Sequence, residues 1–478
     1  MSSRKVKVLR VAAEEWRALL RNRVAMIASL TLVALTVTSA VLGLQQRNAT
    51  EAARARYQAT SDEAFDAQPD RHPHRMVHYG QFVFRPLSAL AFFDPGVDGF
   101  TGTTVFLEGH RQNSANFSEA RQSSLLLRFG QLTPAFVLQT LAPLLIVFLA
   151  FGAVAREREQ GTLRLLLAQG LRPSELAAGK LLAHVGVVAL VAAPALVVLA
   201  VATLADWVPP LPSALMLSGY LVYLFIWAAA ALLVSLLVRR AQDALILLVA
   251  LWMGGVILVP RLLPELALAR IPTPTRIETD VAVHHELKQI GDSHNPDDPY
   301  FASFKAKTLA RYGVDKVEEL PVQWAGLVGM EGERLTSELF DRHARAAFDR
   351  EAEQNRLVRQ FGSLSPLIAL RQLSMSLAST DTESHQDFLE QVERHRYRFV
   401  QALNLLQVEK IPNQNAGEDP RIAAEHWKTL PGFTYQAPDM LHLAGERIRS
   451  NLVVLFCWLA ALLAGCGWAA RRLGEVAR

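Results

Sequence analysis

Cysteine is nearly missing from this sequence: among 478 residues there are only Cys457 and Cys466. They share one apolar run, nine positions apart, which on a helix is about half a turn beyond two full ones. Their thiols then face opposite sides, which argues against a disulfide within one helix and against a small secreted disulfide scaffold. No G-x-x-x-x-G-K-[ST] occurs, so the chain brings no phosphate-cradling loop of its own. H-E-x-x-H is absent too; His284-His285-Glu286-Leu287 has the wrong spacing for two ligands on one helical face. No catalytic cluster stands out, so a membrane enzyme is the weakest reading. Charge is sparse: 20% of residues are charged against 51% hydrophobic, and the net charge is +4. With a mean hydropathy of +0.18, disordered and nucleic-acid-binding proteins fall away as first choices despite a pI of about 9.1.

What is present is apolar runs. Six reach the roughly 20 residues that a bilayer demands: 24–44, 133–154, 181–204, 214–238, 244–263 and 451–470. The first follows 23 residues that already read as structured, and its length exceeds a signal core, so a retained anchor is expected. Charge orients the set. Residues 1–23, 155–180, 239–243 and 471–478 hold 17 basic residues against 7 acidic, and the remainder of the chain sums to −6. Short basic loops stay in the cytoplasm. Both termini are therefore expected inside, in a multi-pass protein of a bacterial inner membrane.

Two long external segments are expected, 45–132 and 264–450, folding together into a mostly helical α+β periplasmic domain. Thr103–Leu107 reads as a short strand. In the second segment Leu335, Leu339, Ala346, Leu357 and Phe361 fall near one helical face, as do Phe388, Val392, Phe399, Leu403 and Leu406. Between them Pro366 opens a short apolar helix. Two antiparallel helices joined by this shorter one are expected; the shorter one either rests on the outer membrane surface or fills the domain core. Asn48-Ala-Thr50 and Asn116-Phe-Ser118 match glycosylation sequons by chance in such a setting.

The sharpest pattern lies on the inner face. Arg156-Glu157-Arg158-Glu159-Gln160-Gly161-Thr162-Leu163 follows the second run, and Arg172-Pro173-Ser174-Glu175 precedes Lys180. Gly161 permits a tight turn. Leu163, Leu166 and Leu167 offer an apolar stripe, and the four charges ahead of them can change partners. The N-terminus is amphipathic, with Leu9, Ala13, Trp16 and Leu20 on one face and Arg10, Glu14, Arg17 and Arg21 on another; Trp16 and Arg17 suit an interfacial anchor.

This inner-face pattern resembles the ABC-2-type transporter permeases, whose second span ends in E-x-E-x-G-T-L and leads to a coupling helix and a closing Lys. The matching positions are Glu157, Glu159, Gly161, Thr162, Leu163 and Lys180. Phe92-Phe93-Asp94-Pro95-Gly96, Glu108–Asn113 and Leu364-Ser365-Pro366, with His385 and Phe388, resemble a bacterial subgroup of these permeases that carries a large periplasmic domain of unknown function. The resemblance implies a type V exporter-like arrangement of six spans and a non-catalytic subunit without cofactor. ATP and Mg would sit on a separate ABC ATPase subunit that receives the coupling segment through Glu157, Glu159, Gly161, Thr162, Leu163, Leu166 and Glu175. It also implies a second identical or paralogous permease. The external bulk suggests export, extraction or force transmission, with a periplasmic protein as a further partner and no nucleic acid. The rival reading is a non-transporting envelope scaffold whose external helices bind a partner.

No span carries the paired acids of proton-driven carriers. Thr36, Gln139 and Thr140 either line a path or bond neighbouring helices, the second being favoured. His72, His74 and His78 lie close in a proline-containing stretch and are either metal ligands or solvated loop histidines.

Overall fold

The computed structural model describes residues 3–113, 132–293, 295, 297–413 and 420–476; the Asn116 sequon lies outside them. Among the described residues, six helices are long and apolar enough to cross a membrane: Arg23–Asp66, Pro134–Glu159, Pro173–Leu204, Pro210–Leu237, Ala241–Arg270 and Met440–Leu473. They are spans one to six below. An elbow helix, Ser3–Arg21, precedes them and packs along the start of span three. Its chain breaks at Asn22, whose side chain accepts from the Val24 and Ala25 amides and caps span one.

The helices outrun the apolar runs. Span one continues without interruption for 44 residues, about 66 Å at 1.5 Å per residue. That is about twice the 30 Å of bilayer hydrocarbon, so its polar second half projects beyond the membrane as a post. Against this post lies a two-stranded antiparallel hairpin, β1 (Gln81–Phe84) and β2 (Thr104–Leu107), in the register Phe82↔Phe106 and Val83↔Val105. The β-branched signal marks β2; β1, a short QFVF stretch after a glycine, is too brief to stand out in the sequence. Opposite the hairpin, two long helices, Trp324–Gly362 and Thr382–Lys410, run against each other. The stripe of the second is buried or half-buried throughout, whereas in the first Leu335 and Leu339 are buried but Ala346 and Phe361, expected on the same face, are exposed. Val83, Val105, Leu107, Phe388 and Val392 form the core between sheet and helix. His385, on the inner face of the second of these helices, has its pKa pushed down to about 4 by burial, helped by the neighbouring Arg85 guanidinium.

The short apolar helix, Pro366–Ala378, takes neither place expected for it. It inserts among the spans, with its largest contacts on spans six and four, and ten of its thirteen residues are buried. An added Cβ on Gly219 of span four would come within 2.5 Å of Leu373, so glycine lets the two helices touch. Room is also made by π-helical turns in span two, Val137–Leu141, and span five, Met253–Leu258. A π-turn frees backbone carbonyls that lipid cannot satisfy. Here side chains take them: Tyr223 Oη donates to Gln139 O at 2.8 Å, Trp252 Nε1 to Thr140 O at 3.1 Å, and Ser365 Oγ to Gly255 O at 2.6 Å. The Phe92–Gly96 loop closes the same end. Phe93 is fully buried against Tyr220, and Thr380, just past the inserted helix, donates its hydroxyl to Asp94 O at 3.0 Å.

Candidate functional site

The inner-face motif lies at the end of the bundle that carries both termini. Span two turns at Phe151–Val154 and restarts as one helical turn, Ala155–Glu159. The restart leaves amides without helical partners. Ser235 Oγ of span four accepts two of them, from Val154 and Ala155, at 3.0 Å each. The four charges that follow are all engaged. The Arg158 guanidinium donates to Leu236 O at 2.8 Å and Val238 O at 2.6 Å, closing the C-terminal end of span four. Glu159 Oε2 accepts the Ala241 amide at 3.1 Å and so caps span five. Arg156 lies over the Phe151 ring, 5.5 Å from its centroid. Glu157 Oε1 pairs with Lys180 Nζ at 2.5 Å, and the same ammonium pairs with Glu15 Oε2 of the elbow helix at 2.5 Å. Lys180 is 7% exposed, so it is a buried cation between two carboxylates, joining elbow helix, span two and span three. Ser235 and Glu15 join this cluster although the sequence reading does not single them out. Arg158 lies within the pattern, whereas Ser235 and Glu15 carry no local signal.

Gly161 then adopts φ 78°, the left-handed region that L side chains rarely enter, and Thr162 Oγ1 donates back to Glu157 O at 3.1 Å. The turn releases a short helix, Thr162–Ala168, the one expected to couple the chain to a partner. Its expected apolar stripe is used inside the chain. Leu163 is buried with Val154, Leu176, Leu232 and Leu236, and Leu166 and Leu167 are half-buried against that cluster. The large side chains that face outward are Arg164 and Leu165, the latter 65% exposed, with Thr162 and Ala168 exposed beside them. Glu175 is buried as well; its Oε2 accepts the Arg172 amide at 3.0 Å and caps span three. Lys7 Nζ of the elbow helix donates to Gly170 O at 2.7 Å, closing the far end of the segment. Trp16 lies against Gly186 of span three, and Arg17 pairs with Glu14 on the exposed face.

Of the polar residues that could line a path, Thr36 and Gln139 have side chains bonded to their own or neighbouring helices, and Thr140 is half-buried. Thr36 is buried and donates to Leu32 O at 2.9 Å. Gln139 is buried; its Nε2 donates to Tyr220 Oη at 2.8 Å, and its Oε1 accepts from Arg371 Nε of the inserted helix at 3.2 Å. Tyr220 Oη also meets Ser374 Oγ at 3.0 Å. Of the three grouped histidines, His72 is set apart. Its Nδ1 accepts the His74 amide at 3.1 Å and caps the helix Pro73–Tyr79. His74 and His78, one turn apart, bring their Nε2 atoms to 3.1 Å, and His110, beyond β2, completes the group in place of His72.

Two family models match the chain. Residues 112–271 match the ABC-2 family transporter protein, and residues 276–436 match a domain of unknown function, DUF3526. A search of the curated proteins gives no match. The first match ends at the last residues of span five, and the second covers the long helices, the inserted helix and the loop toward span six. The chain is a membrane protein with six candidate spans, similar over residues 112–271 to the ABC-2 family transporter protein and over residues 276–436, between its fifth and sixth spans, to DUF3526.

Proposed function

We propose that the chain is the membrane permease subunit of an ATP-driven transporter, moved through its 155–180 segment by a separate ABC ATPase that binds ATP and Mg. Both termini and this segment then face the cytoplasm of a bacterial cell, and the DUF3526 domain faces the periplasm. The positive balance of the termini side supports that orientation. The observation that carries the reading is the wiring of the motif. Lys180, Arg158 and Glu159 fasten one helical turn to the elbow helix and to spans three, four and five, while Leu165 and Arg164 stay outside as the surface offered to a partner. Force on the coupling helix would reach four other helices through ion pairs and caps, not through a slack loop. Span two leads on to the inserted helix, because Gln139 accepts from Arg371 there. A path from cytosolic ATPase to external domain is thereby continuous, which supports export, extraction or force transmission by a pair of such permeases.

Gly161 gives a clean test. It is exposed, and no heavy atom lies within 4 Å of an added Cβ, so a larger residue meets only backbone strain. Holding a β-branched residue in the left-handed region costs about 1–2 kcal/mol. Gly161→Val is expected to lower the stimulated ATP hydrolysis of the reconstituted complex about five- to tenfold, with membrane levels and detergent stability unchanged. Unaltered stimulation would count against a role for this turn in coupling.

A further inference from the structure

We propose that His74, His78 and His110 form a binding site for a divalent transition-metal ion, zinc above all, in the extramembrane domain. Such a site is independent of how the chain is coupled to an ATPase. One nitrogen from each of the three imidazoles lies within 4.8 Å of the other two, and the ring centroids of His110 stand 5.9 Å and 5.3 Å from those of His74 and His78. The Nε2 atoms of His74 and His78 are 3.1 Å apart. Two ligands on a tetrahedral zinc, each bound at about 2.05 Å, stand about 3.3 Å apart. An ion between this pair therefore asks for a few tenths of an ångström of opening and a modest approach by the third ring.

The frame around the rings is built to hold them. His74 and His78 occupy positions i and i+4 of a helix whose first turn is fixed by Pro73 and the His72 cap, and whose Met76 and Val77 are buried. The turn bearing His110 is tied to that helix by the Gly109 amide, which donates to Val77 O at 3.0 Å. His110 itself is held at φ 61°, a conformation few non-glycine residues adopt. Its amide donates to Glu333 Oε2 at 2.9 Å, and its Nδ1 lies 3.2 Å from the same oxygen. A proton on Nδ1 places the lone pair on Nε2, the arrangement by which a carboxylate orients a metal-ligating histidine. Glu333 is fully buried and is fixed in turn by Arg396 at 2.6 Å. Glu393, on the other side of that guanidinium, makes two carboxylates for one cation, so the support behind His110 carries a negative charge suited to a dication. Three neutral nitrogen donors and no thiolate select zinc-like ions over calcium or magnesium. The exposed edge at His78 leaves a fourth position for water or for a ligand of the metal.

The test uses the purified full-length chain in detergent, titrated with Co2+ and with Zn2+ against a chromophoric chelator. One ion per chain is expected, with the visible absorption of four-coordinate cobalt and a rise in melting temperature that grows with metal concentration. His110→Ala and, as a variant on the exposed edge that leaves the buried packing intact, His78→Gln should each weaken binding by about 100-fold. His72→Asn, which keeps a capping side chain, should change it less than about threefold. Equal affinity in His78→Gln and the parent protein, loss of binding in His72→Asn, or no saturable binding of either ion at millimolar concentration would each overturn the proposal.

Discussion

Lys180→Met is expected to cut the ATP hydrolysis stimulated in the assembled transporter by about tenfold or more, with the chain still inserted in the membrane. The Lys180 ammonium lies within 2.5 Å of both Glu15 and Glu157, carboxylates that are 14% and 21% exposed. Methionine fills the same volume and removes the charge that holds them together there. Breaking a buried pair by deleting one partner costs about 3–5 kcal/mol, because what remains is charge without compensation. The least costly relief is for the Ala155–Glu159 turn to leave the elbow helix, so that the coupling helix moves without carrying span three with it. Lys180→Arg keeps the charge and should retain most of the stimulation. Stimulation undiminished in Lys180→Met would show that the triad is a packing feature with no part in transmission.

Arg396→Met is expected to lower the melting temperature of the extramembrane domain by about 10 °C. All five N–H groups of this buried guanidinium have acceptors: Glu333, Glu393 twice, Ser337 Oγ and Glu108 O, at 2.6–3.2 Å. They join the two long helices to the turn after β2. The two carboxylates answer differently to the same cation. Burial pushes both up, yet the hydrogen bonds from His110 and the charge of Arg396 leave Glu333 below its ordinary value, whereas for Glu393 burial wins. Removing the guanidinium strands both, at a cost of about 3–5 kcal/mol, which for a domain of this size is the expected fall in melting temperature. Thermal unfolding followed by proteolysis of the extramembrane domain reads this directly. A shift under about 2 °C would mean that water reaches these carboxylates and that the helices are held by apolar contact alone.

The sequence is most legible where one physical requirement acts alone. A bilayer needs long apolar runs, and each of the six runs lies, to within one residue at either end, in one of the six candidate spans found among the described residues. Period and length also locate the two long helices outside the spans, although the first stripe holds only in part: Leu335 and Leu339 are buried, Ala346 and Phe361 are not. The inserted helix is misplaced for a corresponding reason. An apolar thirteen-residue segment suits a membrane surface, a domain core or a gap among spans equally well. What decides is the space opened by two π-turns and Gly219, none of which has a sequence period. The site is legible in its ends and opaque in its middle. Glu157, Gly161 and Lys180 stand in a recognisable spacing, but Glu15 reaches Lys180 from 165 residues away. Leu163 and Glu175 read as partner-facing, yet helical phase turns Leu163 inward and leaves Leu165 out, and Glu175 serves as a cap. His110 joins His74 and His78 only because the β1–β2 register folds the chain back on itself.

If a separate ABC ATPase drives this chain, the Thr162–Ala168 helix rests in a groove of that subunit. A photoreactive residue at position 165, in place of the exposed Leu165, tests it most directly when irradiated in native membranes, with the same probe in place of Phe100, 68% exposed, as the control. A covalent adduct is expected between position 165 and the ATPase, and none from position 100. Adducts only with lipid or water at position 165, or an ATPase adduct from position 100 instead, would contradict it.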